Sequence, residues 1–224
     1  MKRQLIDYSG FSLRRLNEPQ FRHLKLLAGW IFYFAMYFLT ENLIAPESCH
    51  SMHCALDDKI PFNEYFVIFY VGWYFLVTGS LLYTMLTDVK NFSRLQTYII
   101  ITQVFAMAIY IMWPSRQDLR PEVFPRENIF TALVAFIYSF DTNTGVCPSL
   151  HVAYSMGILS TAYRDREFPL WAKVLLTVFV ILICCSVCFI KQHSFLDVVG
   201  VIPFCLMAEI LTFHVLFPDE KAEE

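Results

Sequence analysis

Two histidines carry the chemistry this chain is equipped for. His193 is followed four residues later by Asp197, and His151 stands behind Pro148-Ser149-Leu150. On a helix, residues i and i+4 lie one turn apart on one face, so Asp197 is expected to accept a hydrogen bond from one ring nitrogen of His193. That contact fixes the tautomer and leaves the other nitrogen free as a nucleophile. His151 is then the general acid that protonates a departing oxygen. Arg116, Arg120, Ser149 and Lys191 are the groups available to hold and neutralise the oxygens of a transferring phosphoryl group. This set is a nearly complete kit for phosphoryl transfer without a metal. No Walker-type glycine-rich loop is present, so nucleotide hydrolysis is not indicated.

Each group also has a structural reading. A Pro-Ser pair before an apolar run is a common helix start, with Ser149 as the cap. His193 and Asp197 can simply join two helices, Arg120 and Arg126 can anchor headgroups, and Lys191 can snorkel. For Arg126 the anchor reading is preferred. His23, Glu209 and His214 belong to no motif, and Glu209 is expected to face the bundle interior. Cys49-His50-Ser51-Met52-His53-Cys54 matches no standard zinc module, and a disulfide between its ends stays open. Cys184, Cys185, Cys188 and Cys205 read as apolar filler.

The elements that must position these groups are membrane helices. Hydrophobic residues make up 57% of the 224, and charged residues only 17%, against about 25% in an average soluble domain. Such a chain can be neither disordered nor comfortably water-soluble. Its net charge of -3 argues against nucleic acid as a partner. Six apolar runs approach the roughly 20 residues a spanning helix needs: Leu24 to Ala45, Tyr65 to Leu86, Leu95 to Trp113, Leu150 to Tyr163, Phe168 to Ile190, and Phe195 to Phe217. They are continuous rather than alternating, so they are not barrel strands. Ile129 to Phe140 is too short to span and reads as a re-entrant or interfacial helix. The fold class is therefore all-α: a polytopic six-helix membrane bundle with a short interfacial helix before span four. Residues 1–23 form a basic cytoplasmic segment, 24–217 the membrane domain and 218–224 an acidic cytoplasmic tail.

Lysine and arginine set the orientation. With Lys2, Arg3, Arg14, Arg15, Arg22 and Lys25 inside, twelve basic residues fall on the cytoplasmic side. Five remain outside: Lys59, Arg116, Arg120, Arg126 and Lys191. Both termini are then cytoplasmic, and the end of span three, the start of span four and the turn between spans five and six share the extracytoplasmic face. Charges at membrane depth usually mark function. The Asn91-Phe92-Ser93 sequon falls inside and is expected to be silent.

The pattern resembles the type 2 phosphatidic acid phosphatase superfamily, which includes the vanadium haloperoxidases. Its motifs are a Lys, six residues and Arg-Pro; Pro-Ser-Gly-His; and Ser-Arg, five residues, His, three residues, Asp. Here the first ends in Arg120-Pro121, the second reads Pro148-Ser149-Leu150-His151, and the third reads Ser186-Val187, five residues, His193, three residues, Asp197. Trp113 stands at the first-motif Lys position, with Arg116 as its substitute. Leu150 replaces the second-motif Gly. Val187 replaces the third-motif Arg, and Lys191 is the candidate to restore that charge. These departures, and Asp57-Asp58-Lys59-Ile60-Pro61-Phe62, look like the branch of inositol phosphorylceramide synthases and sphingomyelin-synthase-like proteins. The resemblance implies a phosphohistidine at His193, orientation by Asp197, His151 as the acid, phosphate held by Arg116, Arg120, Ser149 and Lys191, and no metal or other cofactor.

The substrate is then a lipid phosphate or phosphodiester: a phosphatidate, a polyprenyl diphosphate, a phosphatidylglycerol phosphate or a sphingolipid. Hydrolysis and headgroup transfer both stay open, as do a non-catalytic relative and a transporter. A transporter would show repeated halves and polar groups at the midplane, and neither is evident. The topology makes a direct prediction: in intact cells an impermeant thiol reagent labels a cysteine placed at Asn143 and not one at Asn91. The reverse result inverts the orientation.

Overall fold

The computed structural model describes residues 3–218; Lys2, Lys221 and the tail after Pro218 lie outside them. The chain is mostly helical, and five of its helical stretches are long and apolar enough to cross a membrane. A 3₁₀ turn, Arg22–Leu27, leads into α1, Ala28–Leu43. α2 spans Val67–Thr87 and α3 spans Val89–Met112. α4 is Ile129–Phe140, α5 is Leu150–Arg164, and α6 is Leu170–Phe189. The last apolar run divides into α7, Phe195–Gly200, α8, Ile202–Glu209, and a π-helical turn, Ile210–Leu216.

Three boundaries differ from the sequence expectation, and two of them have a local cause. α3 starts at Val89 rather than Leu95, because extended Asp88 caps it and accepts from Asn91 N–H at 3.0 Å. Lys90 and Arg94 therefore ride on the helix, where Arg94 donates to the Phe217 carbonyl at 2.8 Å. Phe195 to Phe217 is not one continuous helix, since Pro203 in the first turn of α8 lacks the N–H that would bond back across the break. The first run is helical only from Ala28.

α5 lies at the centre, against α2, α3, α6 and α8. Its 15 residues reach about 22 Å at 1.5 Å each, short of a hydrocarbon core of about 30 Å. Packed against these four helices, it carries polar Ser155 and Thr161 inside, each hydroxyl donating one turn back, to the His151 and Gly157 carbonyls. Successive segments alternate in direction. The end of α1, the start of α2, the end of α3, the start of α5 and the end of α6 meet at one pole with both histidines. At the other pole Arg3 pairs with Asp88 and Asp165, and Arg164 with Glu209. Glu209 also accepts from Ser160 at 2.8 Å.

At the histidine pole the loops are tied together. His50–Ser51 pairs in parallel with Ser115–Arg116. Asn128 caps α4, accepting from the N–H groups of Phe130 and Thr131. It also donates to Glu64, which Arg126 grips through both carboxylate oxygens at 2.7 Å. Arg126, read from the sequence as a headgroup anchor, has this further role: a fully buried carboxylate needs a cation, and Arg126 supplies it while its own side chain stays 52% exposed. The buried face of α4, Thr131, Val134 and Ile137, rests on a cluster with Val67, Tyr70 and Val187.

Gly157 lets α5 approach α3 closely. A Cβ there would lie 2.5 Å from Cδ1 of Tyr98, whose ring is buried and pinned by its hydroxyl to the Cys205 carbonyl. Gly157→Leu should therefore cost about 1–3 kcal/mol or more and lower the melting temperature in detergent. A Gly157→Leu protein that melts like wild type removes this contact from the account.

Candidate functional site

The turn after α6 presents His193. Lys191 adopts a left-handed backbone, φ 56°, a conformation that commonly ends helices but is usually given to glycine. It reverses the chain so that the N–H groups of Gln192 and His193 both donate to the Val187 carbonyl, at 2.9 and 3.0 Å. His193 itself is not helical. Ser194 is the N-cap of α7 in a capping box with Asp197. The sequence spacing was right about the partner and wrong about the cause: Asp197 reaches His193 because its Oδ2 turns back to the Ser194 N–H at 2.9 Å, which leaves it 3.2 Å from His193 Nδ1. With Nδ1 donating to this carboxylate, Nε2 carries the lone pair.

That nitrogen lies 3.4 Å from Nδ1 of His151. A contact this long is weak and easily broken by an entering group. The His151 ring sits between those of Trp73, at 4.2 Å, and Tyr70, at 4.6 Å. Its Nε2 is buried without a partner, as is the hydroxyl of Ser149. Ser149 occupies the N-cap position of α5, as the helix-start reading expects, but its hydroxyl accepts no N–H of the first turn. His151 Nε2 and the Ser149 hydroxyl are two of several buried side-chain atoms without a partner among the described residues, with Asp197 Oδ1 and Trp73 Nε1 near them. Such groups gathered at one site are where an entering polar group would be satisfied. Cys147 lies beside Asp197; burial first, and then that carboxylate, push its thiol up to about 12.

Both histidines face a cavity of about 440 Å³. Its wall is aromatic, with Trp30, Tyr33 and Tyr37 on one side, Trp73 and Tyr74 on the other, and Tyr154 beneath. The cavity contains one carboxylate that no motif signalled, Asp141. Its Oδ2 accepts from Gln192 Nε2 at 2.8 Å and Tyr70 at 3.2 Å, and Oδ1 from Tyr37 at 3.4 Å. Burial raises its pKa, against the opposing pull of His193 and Arg120.

The basic residues are placed differently from the sequence expectation. Among the described residues no Arg or Lys lines the cavity. Arg120 stands behind it, stacked over the Tyr138 ring at 4.4 Å and donating to the carbonyls of Asp141 and Thr142 and to Gln192 Oε1 at 2.7 Å. That last bond fixes the Gln192 amide so that its NH₂ faces Asp141. Burial lowers the Arg120 pKa. Arg116 turns outward to Asp118 and the Pro46 carbonyl. Lys191 is buried, but it donates to the carbonyls of Asp57 and Ile60 at 2.9 and 2.6 Å. So the structure brings together His193, His151 and Asp197, with Ser149 held to Asp197 through its backbone N–H at 3.1 Å. It does not bring Arg116 or Lys191 to them. Cys49 and Cys54 are both free thiols.

Asp57 completes a brace that the sequence signalled only as a motif fragment. Its carboxylate accepts from the Ser194 hydroxyl at 2.6 Å and from the N–H groups of Phe195 and Cys54 at 2.8 Å. Burial alone would raise its pKa, but these hydrogen bonds outweigh it and hold the group below the ordinary range. The loop before α2 is thus fastened on both sides of His193, through Lys191 and through Ser194.

Comparison with sequence-family profiles, with curated proteins and with solved structures finds no match to this chain.

The brace predicts a specific instability. Lys191→Gly keeps the left-handed turn and strands the buried Asp57 carbonyl, worth about 1–3 kcal/mol, and the part-buried Ile60 carbonyl, so it should melt below wild type. Because the folded pKa of Asp57 is depressed, its contribution is present above the unfolded value, near 3.9, and is lost as pH falls through the lower folded value. The wild-type melting temperature should therefore drop on strong acidification by more than that of Asp57→Asn. Parallel pH profiles for the two proteins would refute the brace.

Proposed function

We propose that this protein is an integral membrane enzyme that transfers a phosphoryl or phospho-headgroup from a lipid through a covalent His193 intermediate. The observation that carries the reading is the line Asp197, His193, His151, ordered by two hydrogen-bond contacts and facing an aromatic cavity at one pole of a membrane bundle. We read that pole as extracytoplasmic, both termini as cytoplasmic, α5 as a sixth, protein-enclosed span and α4 as the interfacial helix.

The substrate's phosphorus enters between the two rings and displaces their mutual contact. Nε2 of His193 attacks it while the bond to the leaving oxygen breaks. Asp197 holds the imidazolium that forms. His151, protonated, gives its proton to the leaving oxygen. Water or a lipid alcohol then attacks the phosphohistidine, and His151 accepts the proton this releases. Stabilisation of the phosphoryl oxygens falls to His151, to the first-turn N–H groups of α5 and to the unpartnered Ser149 hydroxyl. Arg120 acts at one remove, by setting Gln192 and screening Asp141. Lys191 acts through the turn that carries His193.

The two histidines should separate on leaving-group chemistry. His193→Ala abolishes turnover of both a lipid phosphate and nitrophenyl phosphate. His151→Ala is expected to lose much less on nitrophenyl phosphate, whose leaving group needs little protonation. Asp197→Asn should retain the fold and lose up to about 10⁴-fold, by analogy with triad enzymes. Radiolabelled phosphoenzyme trapped on His193→Ala, or rescue of His193→Ala by the good leaving group, reverses the assignment.

A further inference from the structure

The cavity is not confined to the histidine pole. It runs along the bundle between α1 and α2, lined on one side by Tyr37, Phe34 and Trp30 and on the other by Tyr74, Val77 and Thr78. Tyr37 to Trp30 spans seven residues of helix, about 10 Å, and that distance leads from the Asp141 level toward the bundle's middle. The floor is closed: Tyr154 packs edge-on to Trp30 at 5.7 Å and stacks on Trp73 at 5.6 Å. The side is open. Phe34 is 59% exposed, Tyr74 43% and Phe140 61%, although all three line the cavity. α1 rests on α3 and contributes no buried residue of its own. One residue beyond Thr78, a Cβ on Gly79 would meet nothing within 4 Å.

From this we infer that the cleft between α1 and α2 is the binding site for a hydrocarbon chain of the substrate lipid, entered sideways from the membrane. The inference rests on the reading of the histidine pair as a phosphoryl-transfer centre and adds where the rest of the substrate lies. A lipid in one leaflet hangs its chains inward from its phosphate over about half the hydrocarbon core, roughly 15 Å. The cleft starts at the histidines and extends in that direction. An aqueous headgroup site would need polar walls along this length, whereas the lower wall is Trp30, Phe34, Val77 and Tyr154. Their apolar surface is continuous with the lipid-facing surface of α1 and α2, so a chain slides in without crossing a polar barrier. The aromatic walls favour alkyl packing through dispersion and area burial.

Two measurements test the inference. Thr78→Trp, at an exposed position on the rim, should cut turnover of a long-chain phosphatidate in vesicles by about ten-fold or more, and leave turnover of nitrophenyl phosphate, which has no chain, unchanged. Separately, a phosphatidate carrying a diazirine in its acyl chain should, on illumination, label residues of the α1–α2 cleft such as Phe34, Tyr74 and Thr78. Equal losses on the two substrates, or no loss on either, overturn the inference. So does label spread over the lipid-facing surfaces of α6 and α8 rather than concentrated in the cleft. Labelling needs no turnover, so His193→Ala should still be labelled in the cleft. If that variant is labelled and fully active, the phosphoryl-transfer reading fails while the chain site stands.

Discussion

A single carboxylate oxygen organises the histidine pole. Oδ2 of Asp197 closes the first turn of α7 on the Ser194 N–H and receives Nδ1 of His193. The same atom therefore starts a helix and orients a ring. Because the carboxylate is fully buried, it cannot exchange these partners for water, and each contact is worth more than it would be at a surface. The backbone carbonyl of Asp197 in turn accepts from Ser149, which fixes the start of α5 and with it His151. Two histidines 42 residues apart in sequence are thereby registered against each other through one residue. Burying such a carboxylate is expensive; Oδ2 meets two donors, while Oδ1 is buried without a hydrogen-bond partner among the described residues.

The second organising feature is the pair of ties between the loop before α2 and the turn that carries His193. Lys191 spends its ammonium on backbone carbonyls, and Asp57 spends its carboxylate on donors from the turn. Neither group faces the cavity. Charged groups at a site's edge are easily assumed to line it, but here they hold the turn that carries His193. Arg120 follows the same logic: its hydrogen bonds go to three carbonyls and one amide oxygen, and its effect reaches the cavity as the orientation of Gln192.

Much of this was legible in the sequence. Continuous apolar runs placed the helices to within a few residues, because in lipid a backbone must satisfy its own hydrogen bonds. The His193, Asp197 and His151 spacing placed the central line. What the sequence concealed was contributed by distant segments. Asp141 reads as a lone acid after a short apolar helix, and only folding sets it among Tyr37, Tyr70 and Gln192. Asp57 stood out only as part of a motif fragment, with nothing in the sequence to tie it to the turn after α6. Lys191 gave a misleading signal because its charge was counted without its backbone: the left-handed turn points the chain one way and the side chain another. The early start of α3 was readable in principle, since Asp88 is a favoured N-cap residue, but the apolar run alone begins at Leu95.

The aromatic floor of the cavity has an optical consequence. The chain has four tryptophans. Trp30 and Trp73 line the cavity, whereas Trp113 stacks on His50 in the loops and Trp171 faces outward on α6. Trp73 lies against the very ring assigned as the acid, and a protonated imidazole quenches indole emission that a neutral one leaves bright. With Trp113 and Trp171 replaced by phenylalanine, the remaining fluorescence would come from the site itself, so the proton on His151 could be followed by light in a lipid bilayer without attaching any dye.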